Sequence, residues 1–473
     1  MMKLQIPIFS LALLAIFSAD ALAQSSKNVA LTARLKPGSA RFNDVWGYRD
    51  ASTGKEYAIF GSTAGTYIAD CTNGVAIQRG YIPATRTSSW RDMKVVGQYA
   101  YVVTESAGGM QIIDLRNPDQ PRLATTWGTN YWSNAHGIAV DFDTGLLYAH
   151  GTGSGMHVID VSNPTSPKRI ARFSSPYIHD MSIQDGYAHS AFIYSNEYAI
   201  MDVSNLPSMP VLGKIKAPGS RYCHNTWPTR DNNYCVTTNE AAGGPTGIFD
   251  ITNKRAPRRI ATWHTGGSRA IVHNAYVRDR VVHISYYTEG YQALDLSNPS
   301  SPQNVGFYDT WPGSSSGYNG AWGCYPFQPS GHVYLNDIST GLYVFKPKCA
   351  VRFYGSATKG TTAPEIHAFG AAYSGNGNFA FQVENAGPGK RGILVISAAK
   401  ANANIQGLRI NVSLNGAIAI PFQTNSSGEA TIKAPVPSRV TKGLLYAQGF
   451  VMDASGPLGI AATQGMEVEA FVK

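Results

Sequence analysis

Four of the eleven histidines in this sequence, His136, His179, His224 and His273, fall at one position of a repeating register. The ruler is a short apolar stretch ending in Asp, Asn and usually Pro: "IIDLRNPDQP" from Ile112, "VIDVSNPTSP" from Val158, "IMDVSNLPSMP" from Ile200, "IFDITNKRAP" from Ile248 and "ALDLSNPSSP" from Ala293. Weaker copies centre on Asp70 and Lys346. Counting back 22 to 27 residues from each copy reaches Asn43, Arg91, His136, His179, His224, His273 and Asn319. The next residue in each case is small or polar: Asp44, Asp92, Gly137, Asp180, Asn225, Asn274 or Gly320.

Imidazoles brought together suit a divalent transition metal such as Zn, Cu, Fe or Mn, because neutral His is the commonest protein ligand for these ions. Glu105 and Glu240, 9 and 10 residues before their repeat aspartates, would add ligands or orient the imidazoles, with Asp337 at the matching place in the last unit. Glu289, only 6 before Asp295, fits that register less well. A second reading stands beside the first: such side chains hydrogen-bond the backbone of a neighbouring repeat, and a repeat copies a structural residue as readily as a ligand. Arg91 offers either an anion site or an ion pair with Asp92 or Glu105. Tyr286 and Tyr287, with His283, offer acid–base groups for a sugar or ordinary strand packing. The residues expected to line a central channel are Asn43, Arg91, Asn319, Glu105, Glu240 and Tyr286. Trp46, Trp132, Trp227 and Trp322 sit near inner-strand starts, where they offer faces for stacking on sugars, though blade packing accounts for them. No G-x-S-x-G, H-E-x-x-H, phosphate-loop or EF-hand pattern occurs.

The elements that must hold these side chains follow from the repeat length. Successive copies are 44, 46, 42, 48, 45 and 51 residues apart, the spacing of four-stranded propeller blades. In the unit ending at Asp160, "AHGIAVDF" and "GLLYAHG" are two strands around an Asp-Thr-Gly turn, "GMHVIDV" is the third and "PKRIARFSS" the fourth. Proline ends the third strand because it cannot donate to a ladder, and Asp and Asn side chains cap the turn. First strands lie nearest the axis, so the histidine register is axial. The expected fold is all-β: a seven-bladed β-propeller over residues 28–350, then a C-terminal β-sandwich of short alternating strands over residues 352–473.

The "VIDVSNPTSP" repeat and the "GLYVF" of the last unit resemble LVIVD-repeat propellers, specifically the secreted choice-of-anchor B family. The resemblance implies a propeller and an extracellular address, and no biochemical activity. "FYGSAT…APEI" and "GLLYAQGFVMDASGP" are similar to a β-domain attached to many exported bacterial proteins for adhesion or retention.

The remaining features bound the function. Residues 1–23 read as a signal peptide: Lys3, an apolar run from Leu4 to Phe17, and Ala21–Ala23 before Gln24. That run is too short to span a bilayer comfortably, and no other stretch of about 18 apolar residues occurs. The expectation is a secreted chain, with a glycan or cell-surface component as partner. The net charge of +9 is scattered, which argues against nucleic acid. Cys223 and Cys235 flank "TWPTRDNN" and suggest a cross-strand disulfide. Cys71 and Cys349 end the third strands of the first and last units and suggest a clasp, leaving Cys324 free. Two functional classes stay open: a secreted or surface binding protein whose ligand is an extracellular glycan, and an extracellular metal-dependent enzyme, either an oxidase or a lyase acting on an acidic polysaccharide.

Overall fold

The computed structural model describes residues 25–267 and 269–473, so the segment read as a signal peptide lies outside the described residues. Among the described residues no helix is long and apolar enough to cross a membrane. Strands dominate, and the repeat region builds seven antiparallel sheets whose first strands are Phe42–Arg49, Arg91–Val96, Gly137–Val140, Asp180–Gln184, Cys223–Pro228, Asn274–Arg278 and Ala321–Tyr325. We number the sheets 1 to 7 in that order. Successive first strands pack on one another, and that of sheet 7 touches that of sheet 1, so the repeats close into a β-propeller.

The repeated Asp does turn chemistry. Asp160 Oδ1 accepts from Ser162 N at 2.8 Å, and Asp70, Asp114, Asp202 and Asp250 accept from the residue two places on at 3.0–3.1 Å. Asn163 and Asn253 repeat the device toward Thr165 N and Arg255 N. These side-chain caps satisfy amides that the ending ladder releases.

Closure comes from an exchanged strand. Sheet 7 has three strands of its own unit, and Val29–Leu35 supplies its fourth by pairing with Gly341–Pro347. Ser26–Lys27 then extends sheet 6 along Gln303–Tyr308. The two disulfides expected from the sequence are not formed: all five cysteines are free and buried. Cys223 pairs across its sheet with Asn239, and Cys235 with Pro228, so the two are not opposite one another. Cys71 packs with Phe60 and Tyr334, whereas Cys349 sits in the cluster that holds Tyr291. A ladder of main-chain hydrogen bonds therefore takes the place of the expected clasp.

Beyond Val351, Arg352–Tyr354, Gly465–Phe471, Lys442–Met452, Arg391–Ser397 and Ile418–Gln423 form one sheet, and Glu365–Phe369, Ala380–Glu384 and Ala430–Lys433 a second. Ile366, Phe381, Leu394, Val451 and Met466 make their shared core. This part docks on the propeller through Ala371 N, which donates to Asp295 Oδ1 at 2.6 Å, and through Arg230 with Glu365 (3.0 Å) and Glu384 (2.5 Å).

His367 bridges Asp279 and Glu365 at 3.3 Å each in the same contact. Burial pulls its pKa down, but the hydrogen bonds to Asp279 and Glu365 outweigh it, and the pKa is raised. A raised folded-state pKa stabilises fully below the unfolded value and is lost as pH rises through the folded one. Thermal unfolding of His367→Ala should therefore show a larger loss at about pH 5.5 than at about pH 8.5. Equal losses at both would show that the imidazolium contributes nothing.

Candidate metal centre

Each axial histidine stands at a first-strand start. His136, His179 and His273 immediately precede the first strands of sheets 3, 4 and 6, and His224 is the second residue of that of sheet 5. Successive imidazole centroids are 3.9, 4.5 and 4.5 Å apart from His136 through to His273. His136, His179 and His224 each offer a ligand atom within 4.8 Å of the others, and His224, Glu240 and His273 do the same. Two nitrogens about 2.1 Å from one ion stand up to about 4.2 Å apart, so these atoms would have to close inward slightly to share an ion.

The far side of the arc is supported. His136 Nδ1 is 2.6 Å from Glu105 Oε1, and His273 Nδ1 is 2.5 Å from the Trp322 carbonyl. That carbonyl can only accept, so Nδ1 of His273 carries the proton and Nε2 keeps its lone pair. His224 Nε2 lies 3.5 Å and His273 Nε2 3.8 Å from Glu240, which also accepts from the Tyr287 hydroxyl at 2.8 Å. A carboxylate or carbonyl behind a ligating imidazole fixes its tautomer and orientation. Replacing Glu105 by Gln should weaken Zn affinity by about 10–100-fold while leaving the fold intact, as isothermal titration would measure.

Burial pushes the pKa of His179 and of His224 well below the ordinary value, and the neighbouring imidazoles push the same way. Both are therefore neutral and ligand-competent at neutral pH. His136 differs: burial lowers its pKa, but the hydrogen bond and charge of Glu105 raise it overall. Burial raises Glu240 to about 7, against the Tyr287 hydrogen bond.

An open cleft of about 380 Å³ lies over this arc, walled by Trp90, Tyr177, Tyr194, Tyr287, Tyr318 and Trp322, with Glu105 and Glu240 among its lining. Beneath it a void of about 30 Å³, room for a water, leads to Asp44, Asp92 and Asp180. This deeper tier does the structural work expected of axial polar residues. Asp92 Oδ2 accepts from Ile138 N of the next sheet at 2.8 Å, Asn225 Oδ1 from Ala275 N at 3.0 Å, and Asp180 Oδ2 from the Asn225 amide at 2.9 Å. The axial residues thus divide by level: Asp92, Asp180 and Asn225, each one place after a register position, tie sheet to sheet, and the histidines face the cleft.

Gly137 and Gly323 belong to the deeper tier, since a Cβ there would come to 2.3 Å from the His150 ring and to 2.0 Å from Asp44 Oδ1. Lys94 Nζ bonds Asp92 at 2.6 Å and stands 4.6 Å over the Trp46 ring. Trp46, Trp227, Tyr276, Tyr325 and Phe327 then plug the opposite end of the axis, where the C-terminal part also packs.

The other expected channel residues are placed as follows. Glu105 and Glu240 line the cleft. Arg91 lines the small void, donates to Ser62 O at 3.2 Å, and has a pKa lowered to about 10 by burial. Its expected ion pair with Asp92 or Glu105 is absent among the described residues. Asn43 is buried and held by Ser89 O at 3.2 Å. Asn319 lies in the loop before the first strand of sheet 7, and Trp322, three residues on, takes the axial place. Tyr286 is buried in the apolar cluster of Ile284 and Leu294, and Tyr287 is the tyrosine that reaches the cleft. His283 is bound to the Tyr291 hydroxyl at 2.6 Å, and Asp337 accepts from Thr310 at 2.8 Å. Trp132 packs as expected, against Trp127 and His157.

A model of the LVIVD repeat matches residues 89–129, 148–174, 177–215 and 288–310, so the chain carries LVIVD repeats in sheets 2, 3, 4 and 6. No curated protein matches the chain. Among solved structures, the β-propeller domain of Myceliophteria thermophila Cps50 (Swd1) is similar, at 9% identity and a TM-score of 0.49, over 67% of this chain and 99% of that one.

Proposed function

We propose that this protein is an exported, seven-bladed propeller of the choice-of-anchor B type that binds one divalent transition-metal ion (Zn, Cu, Fe or Mn) on its axial histidines. A ligand entering the adjoining cleft would meet that ion, with Glu240 as the proton-transferring carboxylate. The observation that carries this reading is the convergence of His136, His179, His224, His273 and Glu240 at the open end of the axis. Neutral imidazoles at His179 and His224, a carbonyl and a carboxylate behind His273 and His136, and one accessible side are what a reactive rather than purely structural centre needs. An ion held there would polarise a ligand oxygen, and Glu240, held by Tyr287, is placed to take or return a proton. Export rests on the amino-terminal segment, and the C-terminal β-sandwich serves as its adhesive or retention module.

The acidic-polysaccharide alternative is not favoured, because among the described residues neither Lys nor Arg lines the cleft. Metal content tests the proposal. Protein stripped with a chelator and dialysed against each ion should retain about one equivalent per chain. A folded protein that retains none would leave only a metal-free binding role.

A further inference from the structure

The rim of the cleft carries large aromatic side chains that packing does not require. Trp90 is 42% exposed, Tyr318 52% and Tyr194 81%, while the propeller core is filled by other aromatic rings such as Tyr57, Tyr101, Tyr148 and Tyr198. Trp90 meets Trp322 edge-on at 6.3 Å, and Tyr318 meets Tyr287 edge-on at 5.3 Å. Their exposed faces border one opening over the histidine arc. Exposed apolar rings gathered around an opening mark a ligand surface rather than a scattered surface hydrophobe.

The cleft selects by charge as well as by shape. Among the described residues its lining has two carboxylates, Glu105 and Glu240, and no Lys or Arg. A carboxylated or sulfated ligand would meet like charge from these groups with no counter-cation from the protein. A cationic ligand would in turn be repelled by the divalent ion. The two carboxylates and the ion cancel, which leaves an uncharged ligand as the best match. In their ionised form the carboxylates only accept hydrogen bonds, so that ligand should carry several hydroxyl donors on one side and an apolar face for the rings on the other.

We infer that the cleft binds an uncharged carbohydrate, its ring faces stacked on Trp90, Trp322 and Tyr318 and its hydroxyls directed to Glu105 and Glu240. The inference rests on the metal-centre reading only through the charge balance. The rim aromatics stand apart from it.

The test titrates Zn-loaded and chelator-stripped protein with cellohexaose, maltohexaose and N-acetylchitohexaose, and with an oligogalacturonate and a deacetylated chitosan hexamer. Binding is read by calorimetry and tryptophan fluorescence, with metal content measured on the same samples. At least one neutral hexasaccharide should bind more tightly to the Zn-loaded protein than either charged oligomer does. Trp90→Ala should weaken that binding by about tenfold, the scale of one lost anchor, and Tyr318→Ala should weaken it as well. Absence of neutral binding, tighter binding of a charged oligomer, or indifference to both variants would overturn the inference. Zn-loaded protein that ignores all neutral sugars sinks the sugar alone; sugar binding by protein that takes up no metal sinks the metal centre alone.

Discussion

Replacing His224 with Ala is expected to weaken metal binding more than any other single substitution, by at least about 100-fold, since removing a ligand costs no less than the 10–100-fold typical of its supporting groups. His224 is the only residue common to both ligand groups, His136–His179–His224 and His224–Glu240–His273. Loss of His136 leaves the second group intact, and loss of His273 leaves the first. The expected order is therefore specific: His224→Ala is worst, with His136→Ala and His273→Ala each milder. Zn titration of the three variants, with far-UV circular dichroism to confirm that each folds, checks the order. Three equal losses would mean that the imidazoles do not share an ion in these two groups.

The largest expected effect on stability lies one level deeper. Lys94 is a buried cation whose partner Asp92 has its pKa lowered: burial raises it, but the Lys94 charge and hydrogen bond prevail. Asp44 beside them has its pKa raised well above the carboxylate range by burial and by the Asp92 charge. The tier thus holds the Lys94–Asp92 ion pair beside two further carboxyl groups, Asp44 and Asp180, whose pKa values burial raises. Lys94→Met keeps the stem over Trp46 but strands the Asp92 carboxylate, at a cost of about 3–5 kcal/mol. Adding Asp92→Asn should return much of that loss, because the two changes act on one pair. Denaturant unfolding of the single and double variants measures this. Additive losses would show that the pair is not coupled.

The parts legible in the sequence were those that repeat. The Asp-Asn turn of the five strong copies reported where the third strand ends, and a count back of 22 to 26 residues from its Asp reached His136, His179, His224 and His273, because each first strand begins at a similar distance from its turn. The count failed where the chain broke its own spacing. The last unit is 51 residues long, its extra residues lie in the loop before Ala321, and the axial place passes from Asn319 to Trp322. Strand alternation does not say which of two adjacent tyrosines turns inward at a strand end, and Tyr287, just past the strand, is the one that does. Cysteine positions in neighbouring units looked like a clasp, yet pairing depends on register and facing, which spacing alone does not carry. The exchanged strand Val29–Leu35 was hidden for a different reason: it has no turn motif of its own, and only the unpaired edge of sheet 7 explains it.

Anomalous X-ray diffraction from crystals grown with Zn tests the central claim most directly. The account predicts a single strong peak at the open end of the axis, about 2.0–2.1 Å from at least three nitrogens of His136, His179, His224 and His273. A well-ordered histidine arc with no peak, or a peak bound only elsewhere on the chain, would contradict it.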